Sequence, residues 1–248
     1  MGNLKPNINP ELHKINDTDL ISDTNQYSQS VKSDISLEAL KKEFDSFERI
    51  DLQNDSHRKE LDLMFPNWLI LQASERNLKR FMSMSRYDRK NNTFIGGCFE
   101  NTPEYCNLVS FKKRRLAIGK WITRKGTHPN SSLLIIIYPD GEPIYFIEGI
   151  HDSLTAVLLG INFVMVPYAG YRNTDPSHLQ REVAARNVIF LVEDAAAYKC
   201  MKKLAVQIQD SAKSIKLKPL EDSQKKVDLS DYIKNFKTIK EVINGLYD

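Results

Sequence analysis

The stretch Tyr145-Phe146-Ile147-Glu148-Gly149-Ile150-His151-Asp152, taken with Val188-Ile189-Phe190-Leu191-Val192-Glu193-Asp194 further along, decides the fold. Each is a short apolar run that stops on acidic residues, and each gives way to a segment with helical periodicity. Apolar runs without polar alternation suit strands buried on both faces, the kind found in parallel sheets. In open parallel sheets ligands gather at the carboxyl ends of the strands, where the chain turns into the next helix. Two strands ending in Glu148 and in Glu193-Asp194 therefore bring carboxylates to one rim. Crowded carboxylates repel one another unless a proton or a cation lies between them, so the pattern points to a divalent metal.

Around these runs strand and helix alternate. A strand is predicted over residues 133–138, turned by Pro139-Asp140-Gly141 into a second over 144–147. A helix follows over 152–159, with Gly160 at its end. The next strand covers 163–166, followed by the turn Pro167-Tyr168-Ala169-Gly170. A helix over 176–185, a strand over 188–192, a long helix over 195–209 and a strand over 215–217 complete the series. This rhythm argues for an α/β unit over residues 131–248, a parallel sheet flanked by helices. A smaller mixed α+β unit over 36–130 precedes it. There Ser36 caps a helix whose Leu37, Leu40 and Phe44, with Phe47 beyond, share one face. A second helix runs over 68–82 after Pro66, and strands are predicted over 87–98 and 108–110. Residues 1–35, rich in Asn, Asp, Ser and Thr and without an apolar period, read as a mobile arm or linker.

Composition narrows the function classes. The chain has 248 residues, 41% hydrophobic and 27% charged, ordinary values for a soluble globular protein. Its cysteines, Cys98, Cys106 and Cys200, are odd in number and lack Cys-x-x-Cys spacing, which disfavours a disulfide framework and a zinc ribbon. No apolar stretch approaches the roughly 20 residues needed to span a bilayer. The expectation is a soluble cytoplasmic protein with no membrane partner.

Three features together resemble a known family. They are Glu148-Gly149-x-x-Asp152 at one strand end, the acidic pair Glu193-Asp194 closing the next-but-one strand, and Val227-Asp228-Leu229-Ser230-Asp231-Tyr232 near the end of the chain. In this order they resemble the TOPRIM domain of bacterial-type primases, topoisomerases and several nucleases. The closest resemblance is to primases and primase-helicases of phages and mobile elements, and it covers residues 60–236. The upstream stretch around Arg86-Tyr87-Asp88, Ser110-Phe111-Lys112-Lys113-Arg114-Arg115 and Gly119-Lys120-Trp121 resembles the basic subdomain of such primases.

The resemblance implies a DNA primase that makes RNA primers on single-stranded DNA from ribonucleoside triphosphates, with Mg²⁺ or Mn²⁺ as cofactor. It implies Glu148 as the acid-base or metal-positioning residue, supported by Asp152. Glu193, Asp194 and Asp228 are the further metal ligands it suggests, and Asp231 approaches from the same loop. A replicative helicase or a zinc-module protein is the implied partner. One motif departs from the family's Asp-x-Asp. If Glu193 takes the first acidic place the second falls on Ala195, and if Asp194 takes it the second falls on Ala196. A metal-dependent nuclease and a catalytically degenerate nucleic-acid-binding protein therefore stay beside the primase. A topoisomerase is disfavoured, since the chain is too short for strand-passage domains.

The residues themselves supply a second signal. Lys112, Lys113, Arg114, Arg115, Lys120, Arg124 and Lys125 follow one another between Phe111 and His128 without an acidic residue. Cations that neutralise phosphates, interleaved with Phe111 and Trp121 on which bases can stack, suit a groove for single-stranded nucleic acid. The alternative for Trp121 is a core position in a small sheet. His151 lies between motif residues, but helical geometry turns it about 100° from Asp152, so it is not expected in the metal site.

Overall fold

A computed structural model describes residues 7–8, 35–101, 106–115, 120–127, 133–138, 141–167, 175–220 and 227–247. The molecule is an α/β protein with two sheets. The first contains β1 (Asn7–Ile8), β7 (Leu134–Ile136), β8 (Ile144–Glu148), β9 (Asn162–Val166), β10 (Asn187–Val192) and β11 (Ser214–Pro219), in the order β1-β11-β10-β8-β9-β7. All neighbours run parallel except β7, which pairs antiparallel with β9. The second sheet is antiparallel, in the order β2 (Glu48–Arg49), β3 (Ser85–Asp88), β4 (Thr93–Asn101), β5 (Cys106–Arg115) and β6 (Lys120–Thr123).

The continuous apolar runs have a direct explanation in the parallel sheet. Tyr145, Ile147, Phe163, Met165, Ile189 and Leu191 enter one core, and Ile144, Phe146, Val164, Val166, Val188 and Phe190 enter the other. Successive strand residues face opposite sides, so a strand covered on both faces must be apolar throughout. The first face is covered by α5 (Gly149–Leu159) and α9 (Ile239–Tyr247), the second by α6 (Ser177–Glu182) and α7 (Ala195–Ile208). The C-terminal turn that begins with α8 (Leu229–Tyr232) closes the first core through Leu229 and Ile233.

Helix α5 is buried from Asp152 to Leu159 without a solvent face. A helix apolar all round belongs inside, and this one lies between the two sheets. A Cβ placed on Gly96 of β4 would stand 2.8 Å from Ile150 Cγ1 and 3.3 Å from the Trp121 ring, so glycine lets β4 meet the helix. The same layer holds α2 (Asp55–Met64), α3 (Asn67–Gln72) and α4 (Glu75–Met84), through Leu61, Met64, Leu69 and Phe81. The opposite face of the antiparallel sheet carries α1 (Leu37–Asp45), whose Leu40 and Phe44 pack on Ile95, Leu108 and Phe111.

Polar caps set the helix starts. Ser36 accepts from the Ala39 amide at 3.2 Å, as its position predicts, and Ser74 accepts from Asn77 at 3.2 Å. Gly160 ends α5 at φ +73°, the left-handed conformation that glycine adopts without strain.

Several expectations need correction. Residues 133–138 do not form a hairpin with the strand that follows; β7 lies at the far edge against β9, which makes the sheet mixed. The helix expected over 68–82 is two helices, parted where Ala73 and Ser74 turn extended and Ser74 caps the second. Helix α5 begins at Gly149, three residues earlier than expected. The strand expected over 108–110 is the ten-residue β5. Helices α2 and α9 were not foreseen. In the arm expected over 1–35, Asn7 and Ile8 pair with Ser214 and Ile215. Residues 139–140 and 168–170, the cores of two expected turns, lie outside the described residues.

Candidate active site at the carboxyl rim of the parallel sheet

Strand β8 is flanked by β9 on one side and β10 on the other. The chain leaves β8 through α5 to β9, then crosses back through α6 to β10. The carboxyl ends of β8 and β10 thus form a topological switch point, the usual position of a ligand crevice in such sheets. Phe190 stands opposite Phe146, so the register carries Glu148 and Glu193 to the same rim on neighbouring strands. Neighbouring strands lie about 4.8 Å apart.

Glu148 is half-buried and occupies the N-cap position of α5, but its side chain makes no capping bond. Gly149 follows at φ +81°, and nothing lies within 4 Å of the place a Cβ would take. The turn therefore leaves open space beside Glu148. Asp152, one turn into α5, is almost fully buried at 2% exposure. Its Oδ2 accepts from the Leu229 amide at 2.9 Å and its Oδ1 from the Ser230 amide at 3.1 Å. One carboxylate thus holds the first two amides of α8. Burial pushes the Asp152 carboxyl well above the ordinary range, reinforced by the charges of Asp228 and Glu193 and a hydrogen bond to Glu193. Two buried carboxylates this close disfavour joint ionisation, which favours uptake of a proton by the pair as pH falls.

The two possible placements of the second acidic motif separate here. Glu193, 7% exposed, is the residue that meets Asp152. Asp194 is the N-cap of α7, and its Oδ1 accepts from the Ala197 amide at 2.8 Å. Asp228 caps α8, accepting from the Asp231 amide at 2.7 Å and the Ser230 hydroxyl at 2.6 Å. Asp231 turns to Lys234 at 2.5 Å.

No protein-family model matches the chain, and no curated protein matches its sequence.

The residues that face one another at the rim are thus Asp152 with Glu193 and with Asp228, while Glu148 ends the adjoining strand. Among the described residues no group of three or more His, Cys, Asp or Glu is arranged to hold a metal ion. The donor set is nevertheless of the right kind. Carboxylate oxygens suit Mg²⁺ and Mn²⁺, and Mg²⁺ is usually anchored by one or two carboxylates while substrate phosphates and water complete its shell. The repulsion between Asp152 and Glu193 is one that a cation would relieve, and there is open space at Gly149.

The basic segment divides in two. Lys113 pairs with Asp88 at 2.7 Å and stands over the Phe47 ring at 4.5 Å. Arg124 Nε meets both oxygens of Glu43, at 2.9 and 3.0 Å. Arg114 is partly buried, which lowers its pKa, and it faces Glu60. Arg124 and Arg114 thus link the antiparallel sheet to α1 and α2, while Lys113 joins β5 to β3. Lys120 and Lys125 are exposed, which leaves them open to a polyanion, while Lys112 is partly exposed on the face opposite to Lys120. Arg115 pairs through its backbone with Lys120. Trp121 is partly buried, edge-on to Phe94 with centroids 6.0 Å apart, so the core reading of this residue holds.

Sequence reasoning set His151 aside and did not single out Ser230. The His151 ring lies 5.2 Å from that of Phe65 and 6.0 Å from that of Trp121. Its Nδ1 is 3.0 Å from Ser230 Oγ, and burial lowers its pKa, favouring the neutral ring. The one signal in the sequence was its place inside the motif.

Proposed function

We propose that this chain is a TOPRIM-type primase acting in DNA replication of a phage or another mobile element, joining ribonucleotides into short primers on single-stranded DNA. The observation that carries this reading is the seating of the basic antiparallel sheet on the first turn of α5. Trp121 touches His151 and Gly96 touches Ile150, and both partners lie between Glu148 and Asp152. A surface suited to a polyanionic strand thereby adjoins a rim of carboxylates.

In the reaction a 3′ hydroxyl attacks the α-phosphorus of a ribonucleoside triphosphate, a new P–O bond forms and pyrophosphate leaves. Mg²⁺ or Mn²⁺ held by Glu148 and Glu193, with Asp228 nearby, would supply the charge that steadies the attacking and leaving oxygens. Glu148, at the strand end beside open space, would take the hydroxyl proton. Asp152 locks the amides of α8 and keeps Asp228 at the rim. Lys120 and Lys125 would follow the phosphates of the template. A helicase or zinc-module protein supplied by another polypeptide fits this role, as does a cytoplasmic setting.

A second reading has its own support. Both oxygens of Asp152 accept backbone bonds, Asp194 caps a helix, and Ala195 and Ala196 stand where a second acidic residue would complete the motif. A rim kept as structure would leave a protein that binds single strands without chemistry. One gel separates the readings. Full-length protein is incubated with labelled single-stranded DNA, ribonucleotides and Mg²⁺ or Mn²⁺, beside Glu148→Ala. New short RNA that disappears in Glu148→Ala is the expected result. Shortened DNA would make the protein a nuclease, and salt-sensitive retardation with no product would leave only the binding function.

A further inference from the structure

His151 is the best-connected side chain beside the rim. Nε2 lies 3.3 Å from the Met64 carbonyl oxygen. The Ser230 hydroxyl gives its single proton to Asp228 Oδ1 at 2.6 Å, so the 3.0 Å contact with His151 is a hydrogen bond when the ring carries its proton on Nδ1 and donates to Ser230 Oγ. The Ser230 amide also donates to Asp152. An unbroken series of contacts thus runs from Trp121 and the end of α2, through His151 and Ser230, to Asp228 and Asp152.

We propose that His151 is a positioning residue which, acting through Ser230, fixes Asp228 at the rim and so sets its affinity for a divalent cation. The proposal rests on the reading of the rim as a metal site. Asp228 precedes a helix of only four residues and is partly exposed, so packing alone constrains it little. Its Oδ1 is steered by the Asp231 amide and the Ser230 hydroxyl. That hydroxyl would rotate freely were it not held from the other side by His151 Nδ1. The ring itself is held between Phe65 and Trp121, which anchors the series to the protein interior. Partners that orient a ligand in this way change metal affinity by about 10–100-fold when removed.

The test is Mn²⁺ binding by the full-length chain, followed by electron paramagnetic resonance of the free ion. His151→Gln keeps a donor able to reach Met64 but loses the group at Nδ1. His151→Asn keeps a polar group at Nδ1 and loses the reach to Met64. The expected result is a Kd raised about 10-fold or more in His151→Gln and Ser230→Ala, with near-native affinity in His151→Asn. The opposite order, Gln native and Asn weak, would show that His151 only stitches the helices together and would overturn the proposal. Native affinity in all three variants would overturn it as well. A wild-type chain that binds no Mn²⁺ would remove the metal reading of the rim, and the proposal with it. Circular dichroism checks each fold, and if the His151 variants do not fold, Ser230→Ala decides alone.

Discussion

Gly149 makes the strictest local demand at the rim. Its φ of +81° lies where a side chain is strained, while the space around it is open. The two effects of adding a side chain therefore separate. Gly149→Ala should cost about 1–2 kcal/mol of stability from backbone strain alone, measured by denaturant unfolding, and Gly149→Asn should cost less because Asn tolerates this conformation. Equal losses for Ala and Asn would point to a steric cause. Legibility at this scale was uneven. Glu148 and Asp152 could be read because their spacing puts a strand end and a first helical turn together. The roles of Glu193 and Asp194 could not, since which of two adjacent acids caps α7 depends on how the strand enters the helix. The partnership of His151 with Ser230 spans 79 residues of sequence, and no local pattern encodes it.

Among the elements, β5 shows most plainly how a charge run can mislead. The run was legible as a basic patch, but alternation along the strand sends its residues to opposite faces. Lys113 faces Asp88 and Phe47, whereas Arg114, paired with Trp121, faces the α2 side. Neutralising a phosphate changes the logarithmic salt slope for single strands by about 0.7. Replacing Lys120 and Lys125 by Ala should therefore lower the slope by about 1.4 in a titration with labelled single-stranded DNA. Arg124→Ala should leave the slope unchanged and cost under about 1 kcal/mol, since its pair with Glu43 is partly exposed. A slope that falls with Arg124→Ala and not with the lysines would overturn this placement of the strand. The missed helix α2 has a similar lesson. Its residues 55–64 are mostly polar, and only the sheet laid across it gives Leu61 and Met64 something to bury against.

Across the whole molecule, the parallel layering was legible because a strand covered on both faces has to be apolar. The edge strand β7 was not, because antiparallel pairing at the sheet's far side leaves no mark on a run of Leu and Ile. What ties the scales together is that α5 is buried between two sheets and carries an acid in its buried first turn. Burial raises the Asp152 carboxyl, with the charges of Asp228 and Glu193 adding to it. A carboxyl whose folded pKa exceeds its unfolded value contributes stability that is full below the unfolded pKa and is lost as pH rises through the folded pKa. His151 works in the opposite sense, since burial lowers its pKa and its contribution is lost as pH falls. A comparison that keeps His151 isolates the carboxyls. Glu193→Gln removes one charge facing Asp152 and leaves His151 in place, so the variant should melt above the wild type at neutral pH. That advantage should shrink as the solution is made mildly acidic and the wild-type pair takes up its proton. Mg²⁺ should raise the melting temperature of the wild type at neutral pH, and less so at acidic pH, where proton and cation compete for the same carboxylates. An advantage for Glu193→Gln that stays constant with pH would mean that Asp152 and Glu193 do not share a proton, and the case for a cation at this rim would lose its electrostatic basis.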